Sequence, residues 1–278
     1  MIVTPCTADS PQLRRTVESV CHQRLDASQH TVRYVIKHSG EASDELRKAV
    51  ERSGDIDIKL MEGPDNNLYD ALAQSFQAQS ESGWTADWYG WLGAGDYYSP
   101  NALDIVARVS QHGPQWITGM ICGYNQEGHL IESKLPFAYR QLLLGKPVYG
   151  PRLPFVQAES TFWCNALHKR IDWDALAQYK LAGDAYLWKL FSQFSQLNIV
   201  EAWLGGFERR PGQLSDTLRK EYLLEQQHLS KPLAWSDYIT LGFDRLMWHA
   251  PRSWQRRFGD TRFVFDDAAE DYIPWRQS

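Results

Sequence analysis

Several features that mark special protein classes are scarce in this sequence. Four cysteines occur far apart with no CxxC pair, so neither a zinc framework nor a disulfide scaffold is expected: Cys6, Cys21, Cys122 and Cys164. No apolar run approaches the length of a membrane-spanning helix. The first residues, Met1 to Pro5, lack the basic and apolar regions of a signal peptide. We therefore expect a soluble, cytoplasmic protein with free thiols, with peripheral contact to the inner membrane face left open.

An excess of positive charge is also absent. The 29 basic and 34 acidic residues give a net charge of −5, so nucleic acid is not an expected partner. Hydrophobic residues make up 43% and aromatic residues 13% of the chain, which predicts a packed core rather than disorder. The 278 residues suffice for one large α/β domain, alone or with an appendage.

Strand and helix signals alternate through the first 110 residues. Short apolar or β-branched runs predict strands at 2–3, 31–36, 56–60 and 88–92. Helical spacing predicts helices from residue 11, over 45–53, over 68–80 and from residue 100. This β-α order predicts a doubly wound, mostly parallel sheet. Beyond residue 110 the signal weakens to a strand near 116–120 and helices over 182–194, 215–228 and 236–249.

Polar residues follow each of the first four predicted strands. They are Thr4 and Pro5, Lys37 and His38, Glu62 and Asp65, and Asp96. Ligands of open α/β sheets bind at the carboxyl ends of the strands, so we expect these residues to lie together. A dinucleotide-binding dehydrogenase is excluded, because the turn after the first strand, residues 4–8, contains no glycine.

Seven sequence segments occur in the same order as similar segments of the family 2 glycosyltransferases. In the first half, Ile2 to Pro5 and the helix Gln12 to Gln23 resemble the family's first strand and helix. The run Glu62 to Leu72 resembles "E-x-D-x-G-I-Y-D-A-M-N", and Trp91 to Leu103 resembles "L-N-x-D-D-x-x-x-P-x-A-L". In the second half, Gln157 to Trp163 resembles "Q-x-x-x-F-W", Leu181 to Trp188 resembles "A-G-D-x-x-L-W", and Phe207 to Ser215 resembles a late loop that closes over the donor.

The resemblance covers about residues 2–228 and implies a GT-A-type, Rossmann-like α/β core with a helical C-terminal extension. We expect a nucleotide-sugar-binding half over 1–110, an acceptor-binding and catalytic half over 111–228, and the extension over 229–278. The implied activity is sugar transfer, with inversion, from a nucleoside diphosphate donor of the UDP or dTDP type to a glycan or lipid-linked acceptor. Surface polysaccharide biosynthesis is the implied setting.

The resemblance also implies roles for single residues. Asp184 would be the catalytic base, and Asp96 would bind Mn²⁺ or Mg²⁺ on the donor diphosphate. The other donor-side residues would be Thr4, Pro5, Asp65, Asp70 and Arg209. Glu159, Trp163 and Trp188 would line the acceptor side.

Each role has a structural alternative. Asp70, Asp96 and Asp184 suit helix starts or turns, Glu159 suits a buried ion pair, and Arg209 suits an exposed surface. Tryptophans are more often core residues than sugar platforms. The basic, aromatic segment around Trp248, Arg252, Trp254, Arg256 and Arg257 suits either an anionic membrane face or a helix packed on the core.

Two departures from the family pattern bear on function. The family places two adjacent acids where this chain has Gly95 and Asp96, so the metal is expected to be weakly held or dispensable. The family's acidic turn after the second strand begins here with Lys37 and His38, which points to a different choice of base. These departures favour an alternative function: a catalytically weakened GT-A module that binds nucleotide or glycan and acts through partners.

Overall fold

The computed structural model describes residues 1–51, 56–210, 217–259 and 261–275, and they form two sheets with helices on both faces. In the first half the elements are β1 (Ile2–Cys6), α1 (Pro11–Cys21), β2 (Arg33–His38), α2 (Asp44–Glu51), β3 (Asp57–Glu62), α3 (Leu68–Glu81), β4 (Trp88–Trp91), β5 (Tyr97–Tyr98) and α4 (Ala102–Ser110). The predicted order of strands and helices is confirmed. The predicted end of the second helix, near residue 53, lies outside the described residues.

The second half is richer in strands than its sequence indicated. Its elements are β6 (Trp116–Thr118), β7 (Ile121–Tyr124), β8 (Leu130–Lys134), α5 (Gln141–Leu144), a 3₁₀ turn (Ala158–Ser160), β9 (Thr161–Cys164), α6 (Asn165–His168), α7 (Trp173–Ala177), α8 (Gly183–Phe191), β10 (Asn198–Val200), β11 (Gly205–Glu208), α9 (Arg219–Leu229), α10 (Trp235–Met247), α11 (Arg252–Phe258), β12 (Arg262–Asp266) and β13 (Asp271–Pro274). Strands of three to five residues contain too few positions for a period of two to stand out.

The large sheet has the strand order β13-β12-β10-β6-β9-β4-β1-β2-β3. Every neighbouring pair is parallel except those made by β9 and β13, so the predicted, mostly parallel sheet is confirmed. All three predicted segments of the chain contribute strands to it. The last segment, 229–278, is helical over α10 and α11 as expected, and it then adds β12 and β13 at the sheet's edge, which the sequence analysis did not predict.

Both faces of the large sheet are buried, as its strand sequences require. In β1 and β2, Val3 and Val35 point into one hydrophobic cluster, while Ile2, Tyr34 and Ile36 point into the other. This alternation is the period of two of an extended chain. Helices cover both clusters, and α1 begins where the sequence placed it, with the Ser10 hydroxyl accepting a hydrogen bond from the Leu13 amide at 3.1 Å.

A smaller sheet, ordered β5-β11-β7-β8, packs beside the large one. Strand β11 pairs antiparallel with β5, which directly follows Asp96, and parallel with β7. The small sheet therefore brings the end of β11 against the loop that follows β4. Within the described part of the chain, no helix combines the length and apolar character needed to cross a membrane.

Candidate functional site

The strand directions bring polar residues from distant parts of the chain to one edge of the large sheet. Strands β1 to β4 are mutually parallel, so the loops that follow them emerge at the same edge. Strand β9 runs antiparallel to β4, so the turn that precedes it, which contains Glu159, lies at that edge too. The expected gathering of polar residues at the carboxyl ends of the strands is therefore what the topology produces.

Asp96 lies in the loop that follows β4 and is 8% exposed. Its Oδ1 accepts a hydrogen bond from the Glu208 amide at 3.0 Å, and its own carbonyl accepts one from the Thr16 hydroxyl at 2.7 Å. Burial and the nearby charges of Glu159 and Glu208 raise the pKa of Asp96 well above its usual range. A nearby cation would offset both the burial and the repulsion. The surroundings of the Asp96 carboxylate therefore favour a ligand that brings positive charge.

Gly95 occupies the position at which the resembled family carries its first acid. Its φ is +115°, a conformation that side chains rarely adopt. A Cβ atom built there would lie 3.8 Å from the carboxyl carbon and from Oε2 of Glu208. The pairing of Tyr97 with Gly206 in β5 and β11, continued by two residues, sets Glu208 opposite Gly95. A carboxylate from β11 thus fills the space beside Gly95.

Glu208 is held in place from the opposite side. It is 1% exposed, and its Oε2 lies 3.3 Å from Nη1 of Arg15 in α1, whose Nη2 donates to the Gln126 carbonyl at 2.6 Å. Among the described residues, no group of three or more acidic, histidine or cysteine side chains could hold a metal ion. Asp96 and Glu208 are nevertheless hard oxygen donors of the kind that Mn²⁺ and Mg²⁺ accept when phosphate oxygens and water complete the shell.

The carboxyl group of Glu159 interacts electrostatically with those of both Asp96 and Asp184. It is 8% exposed, and no ion pair to it occurs among the described residues, so the interpretation as a buried ion-pair partner is not supported. Burial, together with repulsion from Asp184, raises its pKa from 4.5 to about 7, while Arg209 and a hydrogen bond from Gln157 oppose the rise. Because Glu159 also raises the pKa of Asp96, the three carboxyl groups form one interacting set.

Asp184 lies in the first turn of α8 and is half-buried. Its Oδ1 accepts a hydrogen bond from the Ala185 amide at 2.7 Å, and the Tyr222 hydroxyl donates to the carboxylate at 3.2 Å. Burial raises its pKa from 3.8 to about 6, against the lowering effect of these hydrogen bonds. A partly exposed carboxylate with a pKa this close to neutrality suits a general base.

Two of the sequence motifs meet behind Asp184. A Cβ atom on Gly183 would lie 2.4 Å from the ring of Tyr69, so only glycine lets α8 begin against that ring. The Tyr69 hydroxyl donates to the Leu181 carbonyl at 3.1 Å. The Tyr-Asp motif at the start of α3 therefore fixes the position of the Gly-Asp motif at the start of α8.

Helix α9 clamps the loop that leads to Asp184. Glu225 accepts hydrogen bonds from three successive backbone amides: Lys180 at 2.9 Å, Leu181 at 2.7 Å and Ala182 at 2.7 Å. Tyr222, three residues earlier on the same helix face, contacts Asp184 itself. The position of the candidate base therefore depends on a helix that begins after the last of the quoted motifs, which ends at Ser215.

Glu225→Ala is expected to lower the free energy of unfolding by about 1 to 3 kcal/mol, because three amides lose a charged acceptor and water compensates only in part. Urea denaturation of the whole chain measures this loss. Glu221→Ala, on the same helix at an exposed position, is the matched control and should change stability little. Equal effects of the two substitutions would show that the clamp contributes nothing specific.

The ends of β2 and β3 carry a buried ion pair. Nζ of Lys37, which is 1% exposed, donates to the Gly63 carbonyl at 2.5 Å and lies 3.6 Å from Oδ2 of Asp65. Burial raises the pKa of Asp65, and Lys37 opposes the rise. Beside this pair, Nε2 of His38 lies 3.6 Å from Oδ1 of Asp9. Lys37 and His38 thus stand where the resembled family has acids, and each faces an aspartate from a neighbouring loop.

Three of the predicted donor-side residues are engaged in the fold itself. Thr4 is completely buried and its hydroxyl accepts a hydrogen bond from Tyr34 at 2.9 Å, and Pro5 is buried in the same strand. Strand β1 continues to Cys6, so the exposed loop begins later than predicted. Asp70 accepts hydrogen bonds from the amide and the side chain of Asn66 at 2.8 and 2.7 Å. The structural alternative describes Asp70 better than a donor contact does.

The two tryptophans predicted to line the acceptor side are core residues. Trp163 is 1% exposed and packs against Phe76 and Phe191, and Trp188 is 4% exposed and stacks on Trp116. Neither indole has a face left for a sugar. The tryptophans of the "F-W" and "L-W" segments therefore pack β9 and α8 into the core. The acids of the same two motifs, Glu159 and Asp184, belong to the candidate site.

Arg209 lies at the rim of the carboxylate set with its side chain 48% exposed. Its Nη2 is 3.0 Å from Oε2 of Glu132, and its charge lowers the pKa of Glu159. Arg210, the next residue, is also exposed and lowers the pKa of Asp96. Both cations therefore lie close enough to the carboxyl groups of the site to lower the pKa of one of them. The remainder of the predicted late loop, 211–215, lies outside the described residues.

Three residues of this site escaped the sequence analysis. Glu208 stands within a quoted motif, but nothing in the linear sequence pairs it with Gly95. Tyr222 and Glu225 share a helix face, and only the fold shows that this face meets the loop before Asp184.

Comparison with known proteins supports the fold. No protein-family profile matches this sequence, and no curated protein does. Solved structures do match: S. aureus TarS residues 1–349 at 11% identity, with a TM-score of 0.56 over 89% of this chain and 70% of that chain. The mannosyltransferase PcManGT from Pyrobaculum calidifontis, in complex with GDP-Man and Mn²⁺, matches at 12% identity, with a TM-score of 0.57 over 91% of this chain and 70% of that chain.

A third match is TarS 1–349 in complex with UDP-GlcNAc, at 10% identity and a TM-score of 0.54 over 92% of this chain and 69% of that chain. The chain spans 43% of the longer TarS structure. The identities are low, so what these proteins share with the chain is the fold. That fold is the GT-A type, as the resemblance implied.

Proposed function

We propose that this chain is an inverting glycosyltransferase that moves a sugar from a nucleoside diphosphate donor to a hydroxyl group of a glycan or lipid-linked acceptor. The observation that carries the proposal is the set formed by Asp96, Glu159 and Asp184 at the carboxyl edge of the sheet. It combines a half-buried carboxylate with a pKa of about 6 and a deeper carboxylate that a cation would stabilise. These are the two functions that glycosyl transfer from a diphosphate requires.

In the proposed reaction, the acceptor hydroxyl gives its proton to the Asp184 carboxylate as its oxygen bonds to the anomeric carbon. The bond from that carbon to the diphosphate oxygen breaks, and the diphosphate leaves with the electron pair. Attack from the face opposite the leaving group inverts the anomeric configuration. The Tyr222 hydroxyl and the Ala185 amide orient the Asp184 carboxylate for this attack.

The diphosphate end would be bound by charges of both signs. Arg209 and Arg210 would neutralise phosphate oxygens, and Asp96 with Glu208 would hold Mn²⁺ or Mg²⁺ against them. When bound, the metal would supply Lewis-acid stabilisation of the departing diphosphate. At the ends of β2 and β3, the polar pairs Lys37 with Asp65 and His38 with Asp9 would face the nucleoside. TarS and PcManGT bind UDP-GlcNAc and GDP-Man respectively, so the fold accepts more than one base.

A thermal-shift panel with UDP, GDP, dTDP and CMP, each with and without Mn²⁺, tests the proposal. A nucleotide at a hundred times its dissociation constant adds about 2.7 kcal/mol of stability, which raises the melting temperature by roughly 5 °C for a chain of this size. We expect UDP or dTDP to give this shift, and Mn²⁺ to increase it. Asp96→Asn should remove the part that depends on Mn²⁺, and the exposed control Glu81→Gln should not.

The panel together with an assay of donor hydrolysis and sugar transfer separates the alternative function. If a nucleotide binds but no donor is hydrolysed or transferred, the chain is the weakened GT-A module that acts through partners. If no nucleotide changes the melting temperature, the donor site is defunct and the proposal fails. The setting in surface polysaccharide biosynthesis is part of the proposal and is tested by the acceptor that the active protein accepts.

A further inference from the structure

Helix α10 exposes apolar residues and buries charged ones. Its solvent side carries large apolar side chains with high exposed fractions, here called the α10 stripe: Trp235 at 77%, Tyr238 at 52%, Ile239 at 60%, Phe243 at 41% and Leu246 at 69%. At 100° per residue, these positions fall within one side of the helix. An ordinary surface helix turns such a side toward the core.

The opposite side of α10 contains two aspartates. Asp237 is 9% exposed and lies 2.5 Å from Nζ of Lys146, and Asp244 is completely buried and lies 3.0 Å from Nη2 of Arg140. Both partners come from the segment around α5. Two ion pairs on one side of a helix fix its rotation about its own axis. The ion pairs of Asp237 and Asp244 therefore hold the α10 stripe toward the solvent.

The stripe continues onto the next helix. The rings of Phe243 and Phe258 meet edge to face with centroids 6.1 Å apart, and Phe258 is 45% exposed. Trp254, one turn before Phe258 on α11, is 58% exposed. A contiguous exposed apolar surface that extends over two helices marks a site of interaction with another protein or with a membrane.

The charges around the stripe have one sign. Between residues 231 and 258 the chain has five lysines and arginines, and its only acids are Asp237 and Asp244, which face inward. Arg245 lies within the exposed side of α10, and Arg257 is exposed beside Phe258. Arg252 and Arg256 pair with Glu201, so the positive charge beside the stripe comes from Lys231, Arg245 and Arg257, although the whole chain carries −5.

We infer that α10 and α11 lie on an anionic lipid surface, with the α10 stripe inserted at the level of the headgroups. Tryptophan, tyrosine and aliphatic side chains ringed by arginine are the composition that binds this interface, and the cations complement acidic lipids. The face overlaps only in part with the segment that the sequence indicated, whose members Trp254 and Arg257 are exposed on it. Trp248 is 4% exposed, and Arg252 and Arg256 pair with Glu201, so much of that basic segment ties α11 to the sheet.

The placement also agrees with the candidate site. Residues 230–234 alone separate α10 from α9, the helix that holds the loop before Asp184. A bilayer under α10 would therefore lie against the segment of the chain that directly follows the helix contacting Asp184. Binding to lipid is measured without donor or acceptor, so its result is independent of the proposed transferase activity.

Flotation of the whole chain with vesicles tests the inference. We expect binding to phosphatidylcholine vesicles that contain about one third phosphatidylglycerol, and weaker binding to phosphatidylcholine alone. The double substitution Ile239→Gln with Leu246→Gln should weaken binding about tenfold or more. Arg245→Glu should weaken binding to the anionic vesicles about fivefold, and less at high salt.

Ile131→Gln is the matched control, because Ile131 is 57% exposed on β8 and lies outside the stripe. It should leave flotation unchanged, and the melting temperature of each variant should match that of the wild type. Failure of the wild type to float with anionic vesicles would overturn the inference, and so would equal flotation of the double variant. A dimer in light scattering that the double variant abolishes, with no lipid binding, would assign the stripe to a second copy of the chain instead.

Discussion

Asp184→Asn is expected to lower kcat for sugar transfer by about 10²- to 10⁴-fold, the usual contribution of a general base. The affinity for the nucleotide donor should stay unchanged, because Asp184 would act on the acceptor hydroxyl and not on the diphosphate. Asp174→Asn is the matched control, since Asp174 also stands in the first turn of a helix, α7, but is exposed. A variant that retained wild-type turnover would remove Asp184 from the mechanism.

The same substitution should not unfold the protein. Burial raises the pKa of Asp184 from 3.8 to about 6, so the folded state holds its proton more tightly than the unfolded state. Stability should therefore fall as the pH rises from about 4 to 6 and stay lower above that range. The asparagine variant avoids this cost, and at pH 8 it should gain on the order of 1 to 3 kcal/mol in urea denaturation, less than the full value because Asp184 is partly exposed. Loss of activity with a gain in stability would separate a catalytic role from a structural one.

The pH dependence of the wild type gives an independent readout. A base must be ionised to accept a proton, so kcat/KM should fall on the acid side with a midpoint near pH 6. Tyr222→Phe removes a hydroxyl that donates to the carboxylate at 3.2 Å. Its midpoint should move to higher pH, because the charged form loses a hydrogen bond. A midpoint that does not move would assign Tyr222 to packing alone.

Glu208→Gln is expected to weaken the Mn²⁺-dependent part of donor binding by about 10- to 100-fold, measured by nucleotide titration at fixed Mn²⁺. The substitution keeps the backbone amide that donates to Asp96 and removes only the charge beside Gly95. Binding without Mn²⁺ should change little. If Asp96→Asn abolishes the Mn²⁺ effect and Glu208→Gln leaves it intact, Glu208 serves only to hold Arg15.

The converse substitution explains why the chain has no acid at position 95. Gly95→Asp would force a side chain into the left-handed region at φ +115° and place a second carboxylate close to Glu208. We expect a destabilisation of about 1 to 2 kcal/mol and no gain in metal binding. In the proposed site, Glu208 at the end of β11 would supply the second carboxylate beside Asp96 in place of an acid at position 95.

The strand and helix order of the first half could be predicted from the sequence alone, and the same sequence indicated Asp96, Glu159 and Asp184 as candidate site residues. In residues 1–110, long elements with clear periods of two and 3.6 made the alternation of β1 to β4 with α1 to α4 legible. Asp96, Glu159 and Asp184 were singled out because their motifs resemble segments that occur in the same order in the family 2 glycosyltransferases. These three positions could be found from local sequence, because each acid lies next to a strand or helix that the neighbouring residues predict.

Which of the side chains in these motifs lie at the candidate site could not be predicted from the sequence, because it depends on how distant segments pack. Trp163 and Trp188 belong to the same motifs as Glu159 and Asp184, yet the side on which a strand or helix packs sends them into the core. The position of Glu208 beside Gly95 depends on the pairing of β11 with β5, elements of four and two residues that no periodicity could reveal. The outward apolar stripe of α10 depends on ion pairs to Arg140 and Lys146, about a hundred residues away in the chain. A sequence states which side chains are present, and contacts between distant segments determine which of them meet, because burial and pairing are properties of the packed chain.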